Sequence, residues 1–247
     1  MESLATVEKA VDVLFHLHHE PGPVGVTAIG RALGLPKSST HRLLRALTRR
    51  SLVEQDERGR YRPGIGLLAL GLGALEREPV AVAARRVLEE EARSLGDTCF
   101  LVVARAGEIV VLDKAEGTGM LRAAPRVGST VPVHATAVGK LYLAYAPDAV
   151  RSPAARAERF TTRTCTDASA IAAQVAQARA EGWAQNDEEW VDGMSVVAAP
   201  VLLEGRMVAA LAVAAPATRM AALGKASVAE RAIAAARRVA QRLAGAS

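Results

Sequence analysis

The residues with the most chemistry to offer lie close together near the N-terminus, in and just beyond "GLPKSSTHRLLRAL" (34–47). Lys37, Ser38, Ser39, His41, Arg42, Arg45 and Arg49 bring cations and hydroxyls into a span otherwise built on leucine. Arginine forks onto guanine O6 and N7, and lysine and serine bond phosphate oxygens. Those are the contacts of duplex reading, provided one helix face presents them together. On a wheel turned by about 100° per residue, Thr40, Leu43, Leu44 and Leu47 gather on one side. Ser38, Arg42, Arg45 and Arg49 fall opposite, with Ser39 and His41 on the flanks. Taken alone, this helix is also compatible with a solvated basic face.

Its neighbours decide between the two. Val7, Ala10, Val11, Leu14 and Leu17 recur as one stripe of a first helix, which Pro21, Gly22 and Pro23 end. Thr27 is the expected N-cap of a short second helix through Leu33, and a candidate DNA contact; Gly34 stops that helix, and a third opens near Pro36. After it, "LVEQ", "DERG" and "RYRPG" read as strand, turn and strand, a wing whose Arg58, Arg60 and Arg62 reach toward phosphate or a minor groove. Residues 36–62 hold eight Lys or Arg against three acids, so this segment carries the whole net charge of +5. Aromatic residues make up only 3 % of the chain, too few for base-stacking platforms on single strands. Three helices and a basic wing predict duplex DNA binding.

The rest of the chain is neutral. It has no uncharged apolar run of membrane-spanning length, and "MESLATVEKAVDVLF" lacks the basic start of a secretion signal. Cys99 and Cys165 have no metal-ligand spacing and are expected to be reduced thiols of a cytoplasmic protein. "GIGLLALGLGALEREP" (64–79) is rich in leucine and glycine, and Pro79 opens a helix with a stripe at Val80, Ala83, Ala84, Val87, Leu88 and Leu95. Residues 99–115 then read as a hairpin, 120–124 and 131–134 as strands, and "ATAVGKLYLAYA" as a helix. Asp167 and Gly182 bracket another helix, "MSVVAAPVLL" and "MVAALAVAA" are strong strands, and 227–243 closes as an amphipathic helix. Antiparallel strands flanked by helices give an α+β class.

"VEKAVDVL", "VTAIGRALGLPKSSTHRLLRAL" and "RYRPG" resemble the winged helix-turn-helix of the IclR family of bacterial transcription regulators. "PRVGSTVPVHATAVGKLYLA" and "EGWAQNDEEWVDGMSVVAAPV" resemble that family's two other recognisable stretches, in the right order. The resemblance implies a DNA-binding domain over 1–63, a linker helix over 64–78 packing against its dimer mate, and a GAF-like effector-binding and oligomerisation domain over 79–247. It further implies a double-stranded DNA operator, a homodimer or dimer of dimers, and a small-molecule effector, a carboxylic acid by class.

Two segments are candidates for the effector. "VHATAVGK" (133–140) puts small residues where a strand becomes a helix, so the free amides and positive dipole end can meet a carboxylate. Close packing of helix on sheet asks for the same small residues. "NDEEWVDGMS" (186–195) gathers four carboxylates and an asparagine before a strand, which reads as a solvated loop or as paired-acid chemistry. By resemblance, the wall is assembled from Met120, Ala123, Val131, Ala137, Val138, Gly139, Asn186, Met194, Ser195, Val196, Ala212 and Ala214. Ala212 and Ala214 replace the serine or cysteine of other members, which implies a more apolar pocket and a larger, aromatic-sized acid. Its anchors would be amides near 137–139 with Asn186 or Ser195. His134 reads as a structural histidine and Trp183 and Trp190 as packing residues. No nucleophile, base and acid stand in triad order, so neither an enzyme nor any cofactor or metal is expected.

Overall fold

A computed structural model describes residues 2–119, 126–151 and 157–245. Its contacts divide the chain into two units, Met1–Arg77 and Glu78–Ser247.

The first unit contains α1 (Glu2–His19), α2 (Val26–Ala32), α3 (Lys37–Thr48), the paired strands β1 (Val53–Gln55) and β2 (Tyr61–Pro63), and α4 (Ile65–Glu76). Thr40, Leu43, Leu44 and Leu47 form the buried side of α3, as the wheel requires. The three leucines meet Val13, Leu17, Ile29, Val53 and Tyr61 in one small core. On α1 the buried stripe is shifted from the expected one, Val13 entering it where Val7 and Val11 do not. Val13 and Leu17 are fully inside, whereas Val7 is 59 % and Val11 42 % exposed. A core this small buries one side of α1, and Val7, Val11 and the exposed Phe15 form a second stripe outside it.

Thr27 does not cap α2. The N-cap is Gly25, and Thr27 lies exposed within the first turn. The reason is tertiary: the Val24 amide donates to Tyr61 O and the Tyr61 amide to Val24 O, both at 2.8 Å. This bridge fixes the chain just before Gly25, whose carbonyl accepts the Ala28 and Ile29 amides. Pro36 likewise sits one position outside α3, its carbonyl accepting the Thr40 amide. Glycine does not prevent α4 from forming. A Cβ at Gly64 would stand 2.3 Å from Ser51 O, and the Gly66 amide donates to that same oxygen, so glycine lets α4 press against the end of α3. Beyond this joint, Ile65, Leu68, Leu70 and Leu72 are exposed.

The second unit contains α5 (Pro79–Leu95), β3 (Thr98–Arg105), β4 (Glu108–Ala115), β5 (Thr130–Val131), α6 (Ala137–Tyr145), α7 (Ala168–Glu181), β6 (Ala184–Asp187), β7 (Met194–Leu203), β8 (Arg206–Pro216), α8 (Ala217–Leu223) and α9 (Lys225–Ala244). The strands form one antiparallel sheet in the order β5-β4-β3-β8-β7-β6. One face carries Leu101, Val197, Leu211 and Val213 against α5 and α9. The other carries Phe100, Val102, Ala198, Ala212 and Ala214 against α6 and α7. The period of two along each strand thus serves two apolar layers, giving a GAF-like α+β domain.

Local signals hold where their partners are local. The Asp167 carboxylate accepts the Ala170 amide at 2.8 Å to cap α7, and Gly182 at φ 75° ends it. The strand expected over 131–134 stops at Val131, because Pro132 has no amide to donate. The strand expected over 120–124 lies outside the described residues.

Candidate nucleic-acid interface and ligand cavity

In the first unit, the outer side of α3 presents Lys37, Ser38, His41, Arg42, Arg45 and Arg49 to solvent, with Ser39 half-buried at the edge. Among the described residues, none of Lys37, Arg42, Arg45 and Arg49 is in a salt bridge, so their donors are free for an external acceptor. The wing is organised differently. Asp56 accepts the Arg58 and Arg60 amides at 3.0 and 2.8 Å, and its other oxygen pairs with the Arg60 guanidinium. Bonds from the Arg60 and Arg58 amides and the Arg60 guanidinium hold the Asp56 carboxyl below its usual range. Arg62 is paired with Glu54 at 3.1 Å. Arg60 therefore braces the turn and Arg62 ties the two strands together, and Arg58 alone of them extends unpaired among the described residues.

In the second unit, the sheet and α6 border a cavity of about 230 Å³. Its wall takes in Val131, Ala137, Val138, Asn186, Met194, Val196 and Ala214 from the expected set. Asn186, Val196 and Ala214 are cross-strand neighbours on β6, β7 and β8, so pairing register assembles this row. Among the described residues, Phe100, Thr136, Trp190 and Val191 also line the wall and were not expected there. Phe100 was legible in part, since alternation along β3 puts it on the face of Val102. Trp190 and Val191 belong to a loop, which has no periodicity to read.

Several expected members are placed differently from the expectation. Asn186 is on edge strand β6, not in a loop. Ser195 points to the opposite side of the sheet from Val196, and its hydroxyl donates to Asp187. Ala212 shares the cavity face but lies a row away, between Ala198 and Phe100. Gly139 is a packing glycine: a Cβ there would stand 1.9 Å from Val133 O. Its amide donates to Thr136 Oγ1, the side-chain cap of α6, at 3.1 Å. Of the amides expected as anchors near 137–139, that of Gly139 is thus taken by the cap. Met120 and Ala123 lie outside the described residues.

The acids of 187–192 hold the loop. Asp187 accepts from Ser195 and pairs with Lys225 at 3.0 Å; the Ser195 hydroxyl and then the Lys225 ammonium hold its carboxyl below the usual range. Glu188 accepts the Gly193 amide at 2.8 Å and pairs with Arg163 at 3.2 Å. Glu189 is paired with Lys140, which is 2 % exposed. The hydroxyls of Thr161 and Thr164 donate to the Glu188 and Glu189 carbonyls at 2.7 and 2.6 Å. These ties set Trp190 and Val191 against the cavity. His134 donates from Nε2 to Glu158 O at 2.8 Å and stacks on Phe160, a structural placement. Burial pushes the Cys99 thiol up to about 12, so it stays protonated near neutrality. Among the described residues, no helix is long and apolar enough to cross a membrane.

A winged helix-turn-helix followed by a GAF-like domain defines a DNA-binding transcription regulator. Residues 6–57 match the family model described as the IclR helix-turn-helix domain, and residues 72–241 that of the bacterial transcriptional regulator IclR C-terminal domain. The chain belongs to the IclR family. It is 33 % identical over 223 residues to the probable transcriptional regulator SauR of Cupriavidus necator, covering 88 % of each protein. To the regulator XynR of Escherichia coli it is 32 % identical over 216 residues, covering 85 % of this chain and 86 % of XynR. An IclR homolog from Microbacterium hydrocarbonoxydans, solved in complex with 4-hydroxybenzoate, shares the fold with a TM-score of 0.85. It is 22 % identical, over 97 % of this chain and 99 % of that one.

Proposed function

We propose that this regulator binds an operator as a homodimer or dimer of dimers, and that a small organic acid held in the C-terminal cavity changes its affinity for that operator. The observation that carries the reading is the apolar-walled cavity of about 230 Å³ in the unit that does not carry the basic helix. The complex of the Microbacterium homolog with 4-hydroxybenzoate supports an acid of aromatic size. The exposed stripe Val7, Val11 and Phe15 and the exposed leucines of α4 support a second copy as partner, since separate apolar patches of this kind favour association. Arg42, Arg45 and Arg49 would meet base edges, with Lys37, Ser38, Ser39, His41 and Arg58 on the backbone. Effector and operator are then coupled through their differential affinity for two arrangements of the dimer.

A gel-shift titration on DNA from upstream of the gene, with and without a panel of carboxylic acids, tests the proposal. At least one acid is expected to move the midpoint by roughly five- to 150-fold, the usual range of such coupling. No shift across the panel, together with silent calorimetry, would leave an architectural DNA-binding protein without an effector.

The wing gives a second expectation. Arg58→Ala should weaken binding to operator and to random duplex alike and lower the slope of log affinity against log salt by about one. A loss confined to the operator would move Arg58 from backbone contact to base readout.

A further inference from the structure

We infer that the C-terminal half of α4 is a breakable joint between the two units: its helix opens and re-forms, and Gly71 and Gly73 set how often. The joint deepens the proposed function, in which a change of state passes from one unit to the other, yet it is tested without effector or DNA.

The anchors of α4 lie at its first turn. The Gly64 amide donates to Leu52 O at 2.9 Å, the Ile65 amide to the Glu54 carboxylate at 3.0 Å and the Gly66 amide to Ser51 O at 2.8 Å. Glu54 also pairs with Arg62, so the turn after α3, the wing and the start of α4 are tied together. The chain is fixed again at Glu78, whose two carboxylate oxygens each accept from Arg105 Nη2 at 3.1 Å. That residue opens the second unit. Between these anchors α4 buries no residue, and a helix of 12 residues is marginal in water by itself.

The glycines of α4 fall into two kinds. Gly66 is required by space, since a Cβ there would stand 2.8 Å from Ser51 O. Gly71 and Gly73 are not: a Cβ on either would meet no atom within 4 Å among the described residues. Close approach by a second copy does not account for them either. Ile65, Leu68, Leu72 and Leu75 share one side of α4, and at about 100° per residue Gly71 lies about 80° and Gly73 about 120° from its centre. A partner helix on that side leaves Gly73 turned away from it. What both glycines do is weaken the helix, each favouring the open chain roughly fivefold over alanine at an exposed interior position. Together they favour opening roughly 25-fold, and opening uncovers no side chain buried within the chain.

Hydrogen exchange of the full chain, followed by mass spectrometry, tests the joint. Amides over 71–77 are expected to exchange at least about tenfold faster than those of α5. In Gly71→Ala/Gly73→Ala they should slow by about tenfold or more, with α5 unchanged and the same oligomeric state by sedimentation velocity. Wild-type protection equal to that of α5 would make α4 a rigid rod and overturn the inference. Exchange over 71–77 that the double variant leaves within about twofold would take the opening away from the glycines and overturn it as well. A variant with altered association assigns them to the contact between copies, a third way for the joint to fail. None of these results touches the cavity reading, which the acid titration decides; conversely, silence in that titration leaves the joint standing.

Discussion

Arg45→Ala is expected to cost about 1–3 kcal/mol in operator binding, roughly five- to 150-fold, while affinity for random duplex falls by only a few-fold. The difference follows from where Arg45 stands. It projects from the outer side of α3, opposite Leu43, Leu44 and Leu47, and has no salt-bridge partner among the described residues. Its guanidinium can therefore fork onto a base edge without first breaking an internal pair. Phosphate contacts fix register and carry no sequence information, so losing a base contact penalises one sequence above others. Fluorescence anisotropy with both DNAs at one fixed salt concentration checks the prediction. Equal losses on the two would mean that α3 meets only backbone, and readout would have to be sought on another element.

The second large effect is on stability. Lys140→Met should destabilise the C-terminal unit by about 3–5 kcal/mol, because it strands a buried carboxylate. Lys140 is 2 % and Glu189 8 % exposed, and the ammonium also donates to Gln185 O at 3.0 Å. Glu189 Oε2 already lacks a partner among the described residues, so removal of Lys140 leaves both carboxylate oxygens uncompensated. The double variant Lys140→Met/Glu189→Gln should recover most of the loss, since it removes both charges. Denaturant unfolding followed by tryptophan fluorescence reports on the right unit: Trp183 and Trp190, the chain's two tryptophans, both lie within it. A single variant within about 1 kcal/mol of the wild type would mean that the pair is effectively solvated. The consequence reaches the cavity, because Glu189 adjoins Trp190 and Val191 while Lys140 shares α6 with Ala137 and Val138.

What the sequence by itself determined was carried by neighbours along the chain. The inner side of α3 follows from helical spacing alone, and its arginines face outward because leucines occupy the positions that pack. Asp167 and Gly182 mark the ends of α7 because a cap and a left-handed turn are made with residues a few positions away. Alternation along β7 and β8 likewise sorts their side chains into two layers without reference to the rest of the fold.

The tertiary structure decided whatever depends on a distant partner. Thr27 loses the cap position to Gly25 because a backbone bridge from Val24 to Tyr61 fixes where the chain enters α2. Arg60 and Arg58 look equivalent in the wing until Asp56 claims one of them. Asn186 and Ser195 seemed interchangeable as ligand anchors, yet once β6 pairs with β7 the first joins the cavity wall and the second turns away to Asp187. Hydrophobic period is a property of one segment and fixes which side is buried. Which atoms then face one another across a cavity is set by register between segments, and a single residue of register reverses every side chain on a strand.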